Sequence, residues 1–249
     1  MSFVEKLHKK NIIAKPGFNR WLVPPASIAI HLCIGSVYAW SMFNPALIKV
    51  LGVVSSSGDD WSLSQVVWIF SVAIVSLGLA AAYAGKWLEK VGPRMVGFFA
   101  ACCWGGGFII GSLGIYLQEN GVVINLSLPF VSPDEITMQL GLYLLYLGYG
   151  VIGGVGLGLG YVSPVSTLIR WFPDRRGMAT GMAIMGFGGG AMIAKFTIDK
   201  LLETFYKVPE YLGTLDSVEL ITEGGRRFSE ISGSMIEVVV VAANEVSRM

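Results

Sequence analysis

The chain has 249 residues, of which 53% are hydrophobic and 14% are charged, and its formal net charge is +1. An ordinary soluble domain carries about 25% charged residues, so the composition argues against one and favours a polytopic membrane protein. The three cysteines lie inside apolar runs, without the spacing of a disulfide framework or a metal site. We therefore expect no metal, no cofactor, no enzymatic activity and no nucleic-acid partner.

The first twenty residues are polar and basic, and we expect them to form a cytoplasmic amino-terminal tail. A membrane span needs about 20 apolar residues, and residues 21–200 supply five such segments. A break is expected in the first segment at Asn44–Pro45, and a kink in the fourth at Pro164. Capping boxes that begin at Ser62 and Ser132 should open the second and fourth helices. The predicted helices cover about 21–50, 64–84, 95–117, 133–171 and 177–196.

Residues 201–249 hold many acidic side chains and no apolar run long enough to span a bilayer. The run from Val238 to Ala243 suits a strand or a short soluble helix. We expect this region to be an extracytoplasmic loop or tail, truncated before a sixth helix. The predicted fold class is an all-α polytopic membrane protein with five spans, followed by an extramembrane tail.

Lysine and arginine accumulate on the cytoplasmic side of membrane spans. The amino-terminal tail holds five of these cations, and the connections after the second and fourth helices hold three each. The predicted connections after the first and third helices carry acids instead. This asymmetry predicts a cytoplasmic amino terminus in a plasma or inner membrane, with the segment after the fifth helix outside.

The fourth predicted helix carries glycines at four-residue spacing, Gly150, Gly154 and Gly158. Small residues at this spacing let membrane helices approach closely, because apolar side chains gain nothing by leaving lipid for a neighbouring helix. We expect these glycines to pack against another span. The same region contains a match to the dinucleotide-binding fingerprint, from Gly148 to Gly153. That fingerprint needs a preceding strand and a soluble αβ unit, so we reject this interpretation.

A glycine-rich and charged stretch follows the second predicted helix: Gly85, Glu89, Lys90, Gly92 and Arg94. The glycines allow a tight turn, and the charges can pair with a neighbouring helix end and hold one conformation closed. A generic basic turn is the alternative. The stretch resembles the cytoplasmic loop signature of the major facilitator superfamily, with Glu89 where the family usually has aspartate. We group Asp174, Arg175 and Arg176 with it as a cytoplasmic gating motif.

Further stretches, Gly35–Phe43, Gly160–Pro164, Arg170–Gly181 and Gly186–Gly190, resemble the oxalate/formate antiporter branch of that superfamily. The resemblance implies a twelve-helix transporter of two six-helix halves that exchanges small carboxylates by alternating access. This chain would be the amino-terminal half. The implied partners are a small carboxylate, the lipid bilayer, and either the missing carboxy-terminal six-helix half or a second copy. A non-transporting membrane subunit or scaffold whose outer tail binds a partner is the alternative.

Aromatic side chains with polar tips are the candidate substrate ligands. Phenol hydroxyls and an indole N–H donate hydrogen bonds to a carboxylate without adding a buried charge. Aromatic packing between helices is the alternative for each of them. His31, deep in the first span, is a candidate because ionisable groups inside membranes are often functional; a neutral histidine bonded to a carbonyl is its alternative. The candidates are Tyr38, Trp40, Tyr146, Tyr149 and His31, with Tyr143 considered beside them.

Overall fold

The computed structural model describes residues 5, 7, 9, 13–14, 16–47, 52–55, 61, 63–119, 125–127, 137–205, 211–213, 218–223, 226–231 and 233–241. The chain divides into two compact units. The first unit consists of Met1–Trp40 and Ile69–Phe196, and the second of Ser41–Trp68 and Thr197–Met249. Five helices of the described residues are long and apolar enough to cross a membrane, which matches the five predicted spans.

The first helix, α1, is built from four consecutive segments. A 3₁₀ turn at Arg20–Leu22 is capped by the Asn19 side chain, and an α-helix, Val23–Ile34, follows. The helix then tightens to 3₁₀ over Gly35–Phe43 and ends with a short α-helical turn, Asn44–Leu47. The irregularity therefore starts at Gly35, nine residues before the predicted break at Asn44. A Cβ atom at Gly35 would overlap the carbonyl oxygen of Phe187, so a close approach of another backbone accompanies the change in helix type.

The second and third helices, α2 (Leu63–Val91) and α3 (Pro93–Glu119), are separated by a single residue, Gly92. Gly92 has a φ of 94°, a conformation that glycine adopts without strain. The predicted turn over residues 85–94 is therefore too long, since Gly85 and Glu89 belong to α2. An interior glycine costs a helix only about 0.5–1 kcal/mol, so Gly85 alone does not end α2. Proline first interrupts the pattern at position 93.

The fourth helix, α4, consists of Leu140–Leu145, a π-helical segment at Tyr146–Gly153, and Gly154–Trp171, with Pro164 in its interior. The predicted start near residue 133 is wrong. Thr137–Gln139 is extended and forms strand β3, which pairs antiparallel with β2, Asn125–Ser127. Residues that pair in a hairpin are unavailable to the first helical turn. The capping boxes predicted to begin at residues 62 and 132 lie outside the described residues.

A 3₁₀ turn, Pro173–Arg175, connects α4 to the fifth helix, α5, which runs over Arg176–Phe205. The helix ends nine residues beyond the predicted end at Phe196. Those residues include Asp199, Lys200 and Glu203, so the apolar pattern stops before the helix does. The predicted end at Phe196 is therefore the end of the apolar run and not the end of the helix.

Helix α4 uses two faces lined by glycines to pack against α2 and α3. On one face, Cβ atoms at Gly154 and Gly158 would lie 2.6 Å and 2.5 Å from the backbone oxygens of Ala73 and Leu77 in α2. On the other, a Cβ atom at Gly156 would lie 2.5 Å from the backbone nitrogen of Trp104 in α3. Real Cβ atoms do not approach backbone this closely, so both contacts require glycine. Gly150 lies farther out, against the side chain of Val72.

The second unit contains a five-stranded sheet in the order β4-β1-β7-β6-β5, with antiparallel neighbours. Its longest strand, β7, includes the run from Val238 that was predicted as a strand or a short helix. The sheet was not predicted, although the spans themselves are helical as expected. Most of its strands have three to six residues, too short for an alternating pattern to stand out. The strands are β1 Gly52–Ser55, β4 Tyr211–Gly213, β5 Ile221–Glu223, β6 Arg226–Ile231 and β7 Ser234–Val241.

Candidate functional site

Five rings from four helices form a cluster within the first unit, which we call the open aromatic cluster. Helix α1 contributes His31 and Tyr38, and α2, α4 and α5 contribute one ring each, from Phe70, Tyr161 and Phe187. Phe187 is the central ring, with centroid distances of 5.1 Å to Tyr38, 5.2 Å to Tyr161 and 6.3 Å to His31. Tyr38 also lies 6.2 Å from Phe70, and His31 lies 5.6 Å from Tyr161.

The rings of the open aromatic cluster range from buried to half exposed. His31 and Phe187 are buried, Phe70 and Tyr161 are half-buried, and Tyr38 is 48% exposed. The two tyrosines each carry a hydroxyl that both donates and accepts hydrogen bonds. The cluster therefore combines apolar ring faces with a few polar tips, the usual composition of a small-molecule site.

A second group of rings, which we call the packed aromatic cluster, joins α1, α3 and α4. Tyr149 is its centre, at centroid distances of 4.4 Å from Trp40, 5.4 Å from Trp104 and 5.4 Å from Phe108. Trp104 and Phe108 are 4.7 Å apart. Trp40 is 6% exposed and Tyr149 3%. This arrangement is helix–helix packing, the alternative considered for both residues.

The structure thus separates the predicted substrate ligands. Tyr38 and Trp40 lie two residues apart in a 3₁₀ segment. With three residues per turn, a two-residue step leads to a different side of the helix. Tyr146 is half-buried in the π-helical segment that also contains Tyr149. Because a π-helix bonds residues five apart rather than four, the three-residue spacing of these tyrosines does not give them a common face. Tyr161 and Phe187, which the predicted ligand set lacks, complete the open aromatic cluster.

His31 occupies the inner end of the open aromatic cluster. Its side chain is fully buried, and Nδ1 lies 3.1 Å from the backbone carbonyl oxygen of Ser27, one helical turn earlier. Since a carbonyl oxygen only accepts, Nδ1 is assigned the proton. Helix α5 comes close at this point, because a Cβ atom at Gly186 would lie 3.0 Å from the Cβ of His31.

The predicted gating residue Glu89 pairs with the end of another helix. Its carboxylate lies 3.0 Å from Arg170 at the end of α4. The backbone carbonyl of Glu89 also accepts a hydrogen bond from the Lys9 ammonium at 2.9 Å. Both side chains of the ion pair are more than half exposed. The pair joins the end of α2 to the end of α4 and lies beside the tight turn at Gly92.

Asp174, in the turn between α4 and α5, accepts two hydrogen bonds from Arg20, at 2.9 Å and 3.1 Å. The Arg20 guanidinium also lies 4.9 Å from the centroid of the Phe172 ring. Hydrogen bonding to Arg20 is the main cause that holds the pKa of the Asp174 carboxyl below its usual value. Arg175 approaches the same carboxylate only to 3.8 Å.

Sequence reasoning did not single out Arg20, the residue that pairs with Asp174. Two ring contacts reinforce its ion pair, between Phe18 and Trp171 at 5.4 Å and between Trp21 and Phe172 at 5.1 Å. The available signal was charge complementarity, because Arg20 is the last cation before the first apolar run and Asp174 is the one acid between α4 and α5. The start of α1, the α2–α3 turn and the α4–α5 connection all lie at one end of this unit, which we call the basic end.

A cavity of about 850 Å³ opens between α1, α3 and α4, away from the open aromatic cluster. The side chains that line it are mainly apolar. They include Ile30 and Ile34 on α1 and Ala100 and Trp104 on α3, together with Arg94. None of the predicted substrate ligands lines it. Among the described residues, no group of three metal-ligating side chains is present. The rejected dinucleotide fingerprint lies in the π-helical part of α4.

A bundle of five apolar helices packed through glycines defines a multi-pass integral membrane protein. The chain belongs to the Major Facilitator Superfamily, whose family model matches residues 30–198. Relatives include an uncharacterized MFS-type transporter, YhjX, of Escherichia coli, at 31% identity over 74% of this chain and 38% of the relative. Apicoplast pyruvate carrier 1 of Toxoplasma gondii is 27% identical over 67% of this chain and 32% of the relative.

The oxalate:formate antiporter of Oxalobacter formigenes is also similar, at 27% identity over 70% of this chain and 34% of its own length. The chain therefore spans about a third of the length of these curated relatives. The names of these relatives are those of a transporter, a carrier and an antiporter.

Proposed function

We propose that this chain forms one lobe of a secondary transporter that carries small organic anions across a membrane by alternating access. The substrates would be monocarboxylates or dicarboxylates of the oxalate and formate type, with antiport as the mode. The observation that carries the proposal is the open aromatic cluster, which places two phenol hydroxyls and an imidazole among rings from four helices. The names of two relatives, a pyruvate carrier and an oxalate:formate antiporter, support the substrate class.

The chemistry of the open aromatic cluster suits a small carboxylate. Tyr38 and Tyr161 can each donate an O–H to a carboxylate oxygen, and ring faces exclude water around it. A hydrogen bond to a charged group contributes about 1.5–3 kcal/mol. Two neutral donors can therefore bind the anion without a fixed positive charge in the low-dielectric interior. A weakly held anion can also leave, which transport requires.

The ion pairs at the basic end would hold the lobe in one facing state. In the proposed mechanism this lobe rocks against a second one around a site near the bilayer midplane. Glu89 with Arg170, and Arg20 with Asp174, join three segments that must separate if the helices splay at this end. Exposed pairs of this kind are weak, which suits contacts that break in every transport cycle.

The orientation in the membrane is also part of the proposal, with the amino terminus and the basic end on the cytoplasmic side. The ion pairs support it, because they hold together the three segments that the charge asymmetry assigns to one side. Lys49 weakens the asymmetry slightly. The predicted first span ends at residue 50 and so includes Lys49. The described part of α1 ends at Leu47, and Lys49 itself lies outside the described residues.

The second lobe would be a carboxy-terminal six-helix half or a second copy of this chain. The apolar cavity between α1, α3 and α4 supports the need for further helices, since its Ala, Ile and Trp walls offer surface for close helix packing. The alternative function is a non-transporting membrane subunit that binds a partner. It is favoured by the five-stranded sheet, in whose described part the outermost strands, β4 and β5, each pair with one strand.

The proposal is tested by removing single hydroxyls, with Tyr38→Phe and Tyr161→Phe in the complete protein reconstituted in liposomes. Each change should weaken binding of oxalate or formate about 10- to 100-fold, since the lost bond contributes about 1.5–3 kcal/mol. Expression and thermal stability should stay the same. The measurement is substrate affinity from counterflow uptake, together with the thermal shift that substrate induces.

The matched control is Tyr83→Phe, which removes a hydroxyl from an α2 residue that is 86% exposed and should leave affinity unchanged. Unaltered affinity in both cluster variants would remove the open aromatic cluster from the substrate site. A stable protein with neither uptake nor any substrate-induced thermal shift would favour the non-transporting alternative.

A further inference from the structure

His31 is a fully buried polar side chain with one ring nitrogen bonded and the other not. The Nδ1–H group donates to the Ser27 carbonyl, so Nε2 of the neutral ring carries a lone pair. Nε2 has no hydrogen-bond partner among the described residues. A buried polar atom without a partner costs about 1–3 kcal/mol, so its presence needs an explanation in terms of what else binds there.

The surroundings of His31 hold little that could compete for a proton. Tyr161, on α4, is the titratable side chain whose ring contacts the imidazole. Helix α5 contributes Gly186 and Phe187, neither of which titrates. Among the described residues, no charged side chain is found to act on His31. A protonated ring would donate from both nitrogens.

We propose that His31 binds a proton together with the substrate carboxylate. This inference rests on the proposed function and adds one proton to each anion that the exchange carries. A proton from water adds to the Nε2 lone pair, and the resulting Nε2–H group donates to a carboxylate oxygen while Nδ1–H stays on Ser27. On the other side of the membrane the anion leaves and the proton returns from Nε2 to water. One proton and one monoanion thus enter and leave together, without a net buried charge.

The position of His31 suits this role. Phe187 contacts His31, Tyr38 and Tyr161, so a displacement of this one ring during the transport cycle would expose the buried His31 beside the half-exposed Tyr38. Gly186 allows α5 to lie directly against His31 in the described conformation. Burial disfavours an unpaired imidazolium, so the ring should hold its proton only while a carboxylate accompanies it. That dependence of each ligand on the other is what couples them.

The test measures protonation of His31 directly. ¹⁵N-histidine labelling of the complete protein in lipid nanodiscs, compared with the same labelled protein carrying His31→Gln, identifies the signal of His31. The Nε2 shift is followed from pH 5 to pH 8, without and with formate or oxalate. The expected result is a titration whose midpoint rises by at least about one pH unit with carboxylate, which corresponds to tenfold tighter anion binding to the protonated ring.

The same samples show whether carboxylate binds at all, from the thermal shift that it induces. A thermal shift without a change in the His31 midpoint would overturn the coupling role and leave the proposed function standing. No thermal shift and no change in midpoint would count against both. His31→Gln gives a second measurement, because glutamine retains a hydrogen-bond donor but cannot titrate. Carboxylate affinity in the parent chain should fall with rising pH and in His31→Gln should not; equal pH dependence would contradict the inference.

Discussion

The two aromatic clusters share helices α1 and α4 but differ in what surrounds them. The packed aromatic cluster lies between α1, α3 and α4, with Trp40 and Tyr149 almost fully buried. The open aromatic cluster draws rings from α1, α2, α4 and α5, and one of them, Tyr38, is half exposed. Both contain residues that the sequence marks equally as candidate ligands. Residue type alone therefore does not predict which cluster a residue joins, because that depends on the face of the helix on which it lies.

The helices that carry the two clusters also differ in how much of their apolar surface is buried. In an 18-residue apolar stretch of α4, 56% is buried, compared with 17% of the corresponding stretch of α2 and 28% of that of α5. The glycines of α4 hold it against α2 and α3 at distances that require glycine. The packed aromatic cluster adds large rings to the same contacts. Helix α5 also meets α1 through glycine, since a Cβ atom at Gly35 would overlap the Phe187 carbonyl oxygen, so close glycine packing is common to both clusters.

The sharpest test of the comparison replaces one ring in each cluster, with Trp40→Ala and Tyr38→Ala. Trp40→Ala should destabilise the protein by about 3 kcal/mol, the lower end of the range for a buried Trp or Phe changed to Ala, because the cavity is enclosed by Tyr149 and its neighbours. Tyr38→Ala removes a half-exposed ring and should change stability much less, while weakening carboxylate binding. Unfolding in detergent, with a carboxylate-binding assay beside it, distinguishes the two. Equal destabilisation would remove the distinction between the clusters.

The second test concerns the glycines that bring α4 against α2. Gly154→Ala places a Cβ atom 2.6 Å from the Ala73 oxygen and from Ser76. The backbones must then separate, and overpacking of this kind typically costs about 1–3 kcal/mol. The control is Gly105→Ala in α3, where a Cβ atom meets nothing within 4 Å. That change should be neutral or slightly stabilising in thermal unfolding, since alanine favours a helix by about 0.5–1 kcal/mol. Equal losses in both variants would contradict backbone-to-backbone packing at Gly154.

The number and type of the spans could be predicted because they depend on composition over about 20 residues. Their ends depend on local contacts that composition does not record. Helix α4 starts at Leu140 because Thr137–Gln139 pairs with Asn125–Ser127, a partner 12 residues away. Helix α2 continues through Gly85 because one glycine is a small cost, and the turn falls at Gly92, where the chain needs a positive φ.

The candidate site was harder to predict than the fold. Tyr38 and His31 could be singled out by their polar groups within an apolar span. Residues two apart on a helix do not share a face, so the spacing already separates Trp40 from Tyr38, but it does not indicate which of the two lies in which cluster. Tyr161 and Phe187 join the cluster through tertiary contacts between residues up to 156 positions apart in sequence, since the cluster runs from His31 to Phe187, and no local pattern records those contacts.

The smallest expected effect is at the basic end, where α1 begins beside the connection between α4 and α5. Asp174→Asn and Arg20→Gln should each lower stability only slightly, because the pair is nearly half exposed. The double variant should lose no more stability than the more destabilised single variant, since both changes remove the same contact.

The loss of stability should also vanish near 1 M salt, where the screening length is about 3 Å. Thermal unfolding at low and high salt measures this, with Arg175→Gln as the control, because that side chain reaches Asp174 only at 3.8 Å. Losses that add fully, or that persist at high salt, would show that Arg20 stabilises α1 through its position against the Phe172 ring rather than through its charge.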